Sequence, residues 1–523
     1  MKKLILPILK YNFLFLLLPF VFLLFTSSSS SQTVFEPIHS GVYNFLDLMA
    51  QKGLIEFHDI IRPVSREYIA EKLQQLSTEN RELTSLESEE LNFYMKDFSL
   101  ELGFIQNSKF KIQNSELTKN TTTNILNYDP FGRLRMFSYQ DSLFQINASP
   151  VLGYELGTKD GAKYSHRWDG IYLYGYLDKI GYSFRFQDNS EDGTTIDPIK
   201  NFTPATGVVI AKADANNIQY SEINVNLAYN WSWGDISIGK DFLNWGYGQS
   251  GLLVLSDKAP SFPFIRLNIH PANWFSFNYI HAWLNSGVID STSSYATLLP
   301  NQNRTIFRPK YLAQHTITLT PTKGLDISLG ESMIYSDNLQ IAYLVPIMFF
   351  RLADHYLSQA DNNAGGNAQF FFGVSSRNQI KNTHLYGTLF IDEITLEGLF
   401  NPATQRNQIG FTLGGSVTDL PIDNLTVTAE FTKIYPYVYT HYIPTLTYQN
   451  NGYIMGDWIG NNADLVYGAL NYRFIRGLQA TAWVQYVRKG GQGPEIGQYT
   501  QPQPPFLYGL RTNYTYLGAE LKY

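Results

Sequence analysis

From about residue 131 to the last residue, apolar and polar positions alternate with a period of two. Ile223, Val225, Leu227, Tyr229 and Trp231 interleave with Glu222, Asn224, Asn226, Ala228 and Asn230. Leu425, Val427, Ala429 and Phe431 interleave with Thr426, Thr428, Glu430 and Thr432. Phe144, Ile146 and Ala148 follow the same rule, as do Leu478, Ala480, Ala482, Val484 and Tyr486. This period predicts strands with one apolar and one polar face. The pattern persists to the final residue. Leu517, Ala519, Leu521 and Tyr523 share a face opposite Tyr516, Gly518, Glu520 and Lys522. A patterned, aromatic terminus fits the closing strand of a barrel, because an open sheet edge cannot exist in lipid.

Upstream the period is helical. Val42, Phe45, Leu46, Met49 and Leu54 predict one helix, with Gly53 at its C-terminal end. Pro63 and Ser65 open a second, in which Tyr68, Ile69, Leu73 and Leu76 share a face, and Glu87 to Phe98 makes a third. Three short helices bury little among themselves, so they are expected to dock on something larger. Short connections at Asp178-Lys179, Trp233-Gly234-Asp235, Thr322-Lys323-Gly324, Asp423-Asn424 and Arg476-Gly477 read as turns on one side of the sheet. Longer Gly-, Asn-, Ser- and Pro-rich stretches at 188–214, 285–310, 352–368, 435–463 and 489–506 read as loops on the other. That asymmetry is the outer-membrane pattern. Residues 131–523 leave room for 16 to 18 strands, at about 22 residues per strand and connection for the larger number.

The N-terminus decides which solvent this sheet meets. Lys2, Lys3 and Lys10 flank an apolar run from Tyr11 to Phe25, followed by five serines. The run is short for a spanning helix, which needs about 20 apolar residues, and it predicts a secretory signal peptide over 1–31. An uncleaved anchor is the alternative. No cysteine follows it to carry a lipid. The composition agrees with strands in a membrane: 16% charged, 15% aromatic with 36 Tyr and 35 Phe, and a mean hydropathy of −0.18, too polar for a helical membrane protein. Zero cysteines exclude disulfides and thiolate chemistry. Without its leader lysines the chain carries a net charge of about −9, which disfavours nucleic acid.

Four stretches carry a resemblance. They are Lys240-Asp241-Phe242-Leu243-Asn244-Trp245-Gly246-Tyr247-Gly248 running on to Pro260-Ser261-Phe262-Pro263; Val345-Pro346-Ile347-Met348-Phe349-Phe350-Arg351 with Asp361-Asn362-Asn363-Ala364; Met455-Gly456-Asp457-Trp458-Ile459-Gly460 with Leu470-Asn471-Tyr472-Arg473-Phe474; and the opening around Tyr43-Phe45-Leu46 and Arg62-Pro63-Val64-Ser65. Together they resemble the Wzi-type capsule assembly family of outer-membrane barrels and its gliding-motility-associated relatives. The resemblance spans nearly all of the mature chain. It implies eighteen strands, a small helical periplasmic part and binding of capsular polysaccharide at the cell surface.

Candidate chemistry rests on two segments. In Trp245–Arg266, glycines and prolines interrupt the alternation. Trp245 and Tyr247 offer flat faces for sugar stacking, and Asp257, Lys258 and Arg266 can bond hydroxyls or carboxylates. The competing reading is a constriction loop packed inside the barrel. The aromatic run Tyr435, Tyr437, Tyr439, Tyr442, Tyr448, Tyr453 and Trp458, with Asp457, reads either as a recognition surface or as an interfacial girdle. No His pair has metal-ligand spacing, and Asp354, His355 and Ser358 are sequence neighbours without the logic of a triad. Asp392 and Glu393 point to opposite strand faces and cannot act as one acid–base pair.

The chain is therefore expected to be an all-β membrane protein: a transmembrane antiparallel β-barrel of about 16–18 strands with an N-terminal three-helix periplasmic region. The expected divisions are a leader over 1–31, a helical cap over 32–100, a connector or first strand over 101–130 and the barrel over 131–523. Expected partners are extracellular polysaccharide, outer-membrane lipid and, through the cap, periplasmic or secretion-machine proteins. The expected polysaccharide-binding residues are Trp245, Tyr247, Asp257, Arg266, Asp457 and Trp458. No catalytic residue, metal or cofactor is expected, and the setting is the outer membrane of a diderm bacterium. The rival functions are a motility- or secretion-associated scaffold and a small-solute diffusion pore.

Overall fold

Alternating residues place one strand face in lipid and the other in the lumen, and the exposure of each side chain follows. The computed structural model describes residues 33–78, 83–103, 121–122, 125–128, 133–141, 143–299, 301–360, 365–394, 401, 407–491, 493, 495–500 and 502–523. The expected leader and the Asp361–Ala364 stretch lie outside the described residues, as does most of the 101–130 connector.

Among the described residues, nineteen strand segments form one closed antiparallel barrel. One of them, Lys212–Asp214, is a three-residue flap beside the start of a long strand. The others run in chain order: β1 (Thr121–Thr122), β2 (Phe137–Gln140), β3 (Phe144–Lys159), β4 (Ala162–Leu177), β5 (Ile180–Gly193), β6 (Asn217–Trp231), β7 (Gly234–Asp241), β8 (Phe262–Ala272), β9 (Phe275–Ile289), β10 (Phe307–Thr322), β11 (Leu325–Ser336), β12 (Asn367–Arg377), β13 (Thr383–Glu393), β14 (Gln408–Thr418), β15 (Leu425–Ile434), β16 (Ala463–Ile475), β17 (Leu478–Lys489) and β18 (Thr512–Lys522). The paired strands of the barrel run antiparallel. In the last one Ala480, Ala482 and Val484 face Leu521, Ala519 and Leu517 across the ladder. Leu517, Leu521 and Tyr523 are exposed, as are Val225, Leu227, Ile236, Ile238, Leu413 and Val466 around the wall. They make the lipid belt that a transmembrane barrel requires. Among the described residues no helix is long and apolar enough to cross a membrane.

The five predicted turns all fall at one end of the strands, and the N-terminal helices dock there. That end is periplasmic. Helix α1 (Val42–Gln51) ends at Lys52, with Gly53 following at φ +72°, a conformation suited to glycine. Helix α2 (Arg66–Thr78) buries Ile69, Leu73 and Leu76. Helix α3 (Ser85–Asp97) starts at Thr84, whose hydroxyl accepts from the Glu87 N–H while the Glu87 carboxylate accepts from the Thr84 N–H. The three helices share a small apolar core.

Ion pairs bolt this cap into the barrel mouth. Lumen-facing Arg377 of β12 donates to Asp59 at 2.7 Å and to Asp47 at 3.2 Å. Arg62 donates to Asp47 at 2.7 Å and to Asp59 at 2.5 Å. Burial alone would raise the Asp59 carboxyl, but the guanidiniums of Arg377 and Arg62 hold it well below the usual carboxylate range. Lys52 bridges Glu87 of the cap and Asp419 of the β14–β15 turn at 2.6 and 2.8 Å. Arg473 of β16 reaches Glu90 at 3.0 Å. Gln51 donates to the carbonyls of Asn382 and Ser416.

Removing Arg377 leaves the buried Asp59 and the partly exposed Asp47 sharing one guanidinium. Truncating one partner of a buried pair costs about 3–5 kcal/mol. Arg377→Ala is therefore expected to loosen the cap, read as faster proteolysis of the 33–103 region in outer-membrane vesicles permeabilised to protease, with the heat-modifiable barrel band unchanged.

Candidate functional site in the barrel lumen

Two long extracellular connections fold inward and fill the lumen. The first, 242–261, joins β7 to β8. The second, 435–462, joins β15 to β16. Irregular backbone away from bulk water needs hydrogen-bond partners, and the tyrosine-rich sequence of the second loop supplies them. Tyr439 donates to the carbonyl of Leu253 and Tyr448 to that of Val254, both at 2.7 Å. The Trp458 indole N–H donates to the Ser250 carbonyl at 2.9 Å. From the wall, Glu430 of β15 accepts from the N–H groups of Gln249 and Ser250 at 2.7 and 3.0 Å. Tyr437, Tyr439, Tyr448, Tyr453 and Trp458 are all buried, while Tyr442 is exposed. The loop is thus neither of the two surfaces expected from sequence. Tyr439, Tyr448, Tyr453 and Trp458 form the barrel's inner core with Leu253, Val254, Leu255 and Phe390.

The sequence-predicted residues separate inside this plug. Tyr247, Asp257 and Trp458 line one cavity of about 340 Å³, together with Asp59, Arg62 and Arg377 of the cap junction. Asp257 pairs with His39 at 3.3 Å. The Tyr247 N–H donates to the Thr388 hydroxyl at 3.0 Å. Trp245 is buried, edge-on to Phe371 with ring centroids 6.2 Å apart. Its backbone pairs with Ile61 of the cap on one side and with Leu255 on the other. Arg266 lies elsewhere, on β8, where it donates to the Pro63 carbonyl at 2.9 Å and its guanidinium sits 4.6 Å from the Phe35 ring centroid. Asp457 is buried and accepts from the Ile459 N–H at 3.1 Å.

A larger cleft, about 900 Å³, opens between the plug and the inner wall of β3–β7. Its wall alternates donors, acceptors and rings. Tyr220 donates to Glu191 at 2.8 Å, and Lys200 also bonds that carboxylate. His166 approaches Asn189 at 3.1 Å and stacks obliquely on Trp168 at 4.8 Å. Arg185 donates to Gln187, and Gln187 to Asn189. Lys240 pairs with Glu222 at 3.1 Å. Apart from Lys200, which reaches in from the β5–β6 connection, these side chains lie on successive strands, and register brings them together: His166 sits opposite Glu191, and Tyr220 opposite Asn189. Sequence alternation marks them as lumen-facing but cannot show which strands are neighbours in register. A surface of bonded carboxylates, amides and ammonium groups beside aromatic faces can exchange hydrogen bonds with many hydroxyls and stack on C–H faces of a sugar.

The family model for capsule assembly protein Wzi matches residues 178–515. The chain belongs to the Wzi capsule assembly family. The solved structure of Escherichia coli Wzi, reported as an outer-membrane protein involved in group 1 capsule assembly and as a carbohydrate-binding β-barrel, superposes with a TM-score of 0.51 at 13% identity, over 94% of this chain and 96% of that one. At that identity the likeness speaks to the fold alone. Pseudomonas aeruginosa OccK3 aligns over 72% of this chain and 90% of that one, at 11% identity and a TM-score of 0.35. No curated protein sequence matches the chain. This Wzi-family barrel, with its lipid belt and periplasmic turns, is a protein of the outer membrane.

Two expectations follow from the lumen. Below the large cleft, a second cavity of about 310 Å³ lies on the periplasmic side, and among the described residues Phe35 is the side chain that lines both. Phe35→Ala should raise single-channel conductance in planar bilayers well above the low level of the plugged parent. Unchanged conductance would mean that deeper layers close the path. The second concerns pH. Burial pushes the Asp457 carboxyl up to about 7, against the Ile459 N–H and with help from the Glu430 charge, while Lys489 pulls it down. A raised carboxyl pKa means that the packed loop holds a proton the released loop has lost. Its contribution is full below about pH 4, falls as pH rises, and levels off above about pH 7. Loop release, read by protease nicking of 435–462, should increase from pH 5 to pH 8 in the parent and depend less steeply on pH in Asp457→Asn, where Asp392, which accepts from the Tyr439 N–H at 2.7 Å, still titrates.

Proposed function

We infer that this barrel binds surface polysaccharide at its extracellular mouth and assists its anchoring or assembly. Membership of the capsule assembly family supports the reading, as does the description of the Escherichia coli relative as carbohydrate-binding. The observation that carries it is the large cleft, whose wall combines His166, Tyr164 and Tyr220 with paired Glu191, Lys200, Glu222 and Lys240. Ion-paired wall charges hold fixed dipoles without presenting a single-sign field, which suits a chain of hydroxyl-rich sugars. The residues proposed from sequence divide into two roles. Tyr247, Asp257 and Trp458 border the smaller cavity and would contact a glycan reaching past His39. Trp245 and Asp457 would hold the plug, and Arg266 would hold the cap beneath it through the Pro63 carbonyl.

Binding rather than turnover is the proposed role. Ser358 donates to the Asp354 carbonyl and His355 contacts Gln359, so the Asp354, His355 and Ser358 neighbours serve one helix. The inward loops oppose a diffusion pore, since the inner core fills the lumen with packed rings.

Stacking beyond area burial is worth about 0.5–1.5 kcal/mol per ring, or about 2- to 12-fold in affinity. Tyr220→Ala and His166→Ala should each reduce retention of labelled native polysaccharide by that order on cells with equal surface levels of the protein. Trp245→Ala should instead loosen the plug, because truncating a buried Trp costs about 3–5 kcal/mol. If both cleft variants retain as much glycan as the parent, the cleft is not the binding site.

A further inference from the structure

The connection between β11 and β12 does not fold inward. It crosses the extracellular rim and descends along the outside of the wall. There helix α4 (Phe350–Ala360) packs over β9–β12. Part of it falls in the 352–368 stretch expected as an outside loop, and its helix is explained by what lies beneath. Glu331 of β11, His315 of β10 and His281 of β9 share the outward face with exposed Leu329, Ile317 and Trp283, where lipid would otherwise touch them. Ionisable groups there are costly unless covered and bonded. The Glu331 carboxylate accepts from the Phe350 and Arg351 N–H groups at 2.8 and 2.6 Å, at the first turn of α4. His315 bonds the Pro346 carbonyl at 3.0 Å, and His281 bonds Tyr335 at 2.7 Å. Phe350, Tyr343, Met333 and Tyr279 close an apolar layer between helix and wall.

The depth of this contact is set by register. Glu331 lies five residues before the extracellular end of β11, about 16 Å along the strand at roughly 3.3 Å per residue. The start of α4 therefore sits at membrane depth, beside the wall. Its inner face carries Phe350, Asp354 and Leu357. Its outer face carries Leu352 and Tyr356, continued by Phe349 just before the helix and edged by His355 and Gln359, which bond each other at 3.0 Å; Leu352 and Tyr356 are 64% and 70% exposed. Ile347, just before the helix, is 83% exposed. This apolar face continues the belt formed by Leu329, Ile317 and Phe372. Arg351, half exposed at the first turn, pairs with Asp354 at 3.5 Å, so its charge does not face lipid alone.

We propose that 341–360 is a membrane-interface anchor whose outer face, Ile347, Phe349, Leu352 and Tyr356, is embedded in outer-leaflet lipid. The occupant is lipid because the face is continuous with the established lipid belt. The anchor shields the ionisable residues of β9–β11 and ties the extracellular rim to the bilayer surface.

The chain has no cysteine, so single spin labels can be placed without background. Leu352→Cys and Tyr356→Cys would be labelled in protein reconstituted into vesicles of phosphatidylcholine and phosphatidylglycerol. Leu329→Cys on the wall and Tyr295→Cys in the 290–306 extracellular hairpin serve as lipid and water references. All four replace exposed side chains, and heat-modifiable mobility confirms folding of each. Collisions with oxygen exceeding those with a water-soluble nickel chelate at 352 and 356, as at 329, are expected. Nickel-dominated collisions like those at 295 would overturn the proposal, placing the helix in water. Exclusion of both reagents, or dipolar broadening between labels on two copies, would also overturn it by placing protein on this face.

Discussion

The structure turns on a junction in the middle of the lumen. Ile61 and Arg62 of the periplasmic cap pair as a short antiparallel ladder with Trp245 and Asn244 of the extracellular plug. Gly246, at φ +105°, donates its N–H to the Ile60 carbonyl at 2.9 Å. That backbone angle favours glycine. Each inserted segment would otherwise leave unpaired backbone in a space remote from bulk water, and each supplies the other's partners. Because the contact joins the two ends of the barrel, cap position and plug position are not independent. The Arg377, Arg62, Asp47 and Asp59 cluster and the Trp245 packing lie immediately on either side of it.

One physical problem, polar groups removed from water, is met three ways around the same wall. In the cap, charges are neutralised by opposite charges fixed on barrel strands. In the plug, tyrosine hydroxyls and the Glu430 carboxylate satisfy irregular backbone. Outside the wall, α4 offers its first N–H groups to Glu331 and covers the neighbouring histidines. The proposed function follows from where this plugging stops. The inward loops lean toward β9–β16, and the wall of β3–β7 is left beside a cleft whose polar side chains bond one another.

The aromatic richness of the chain had three destinations, which composition could not separate. Some rings lie in the lipid belt, such as Trp274 and Tyr523. Many, such as Tyr439 and Tyr448, are inner-core hydrogen-bond donors. A smaller set, Tyr164, His166 and Tyr220, borders the cleft. A ring in a loop sequence says that it will seek both contact area and a partner for its hydroxyl, and says nothing of which neighbour supplies them.

By itself the sequence determined the strands, their two faces, the side on which the turns lie and the three-helix cap, because these depend on periods of 2 and 3.6 residues and on local turn chemistry. Val225 against Asn226, or Leu517 against Tyr516, follows from alternation alone. Only the tertiary structure decided the inward direction of 242–261 and 435–462, the burial of Trp245 and Arg266, the helix over the outer wall and the cleft itself. Those features depend on which residues meet across strands far apart in sequence. Glu331 on an apolar face at 331 and the run Phe349–Tyr356 could be read separately from the chain, but their bond is made by register, not by spacing.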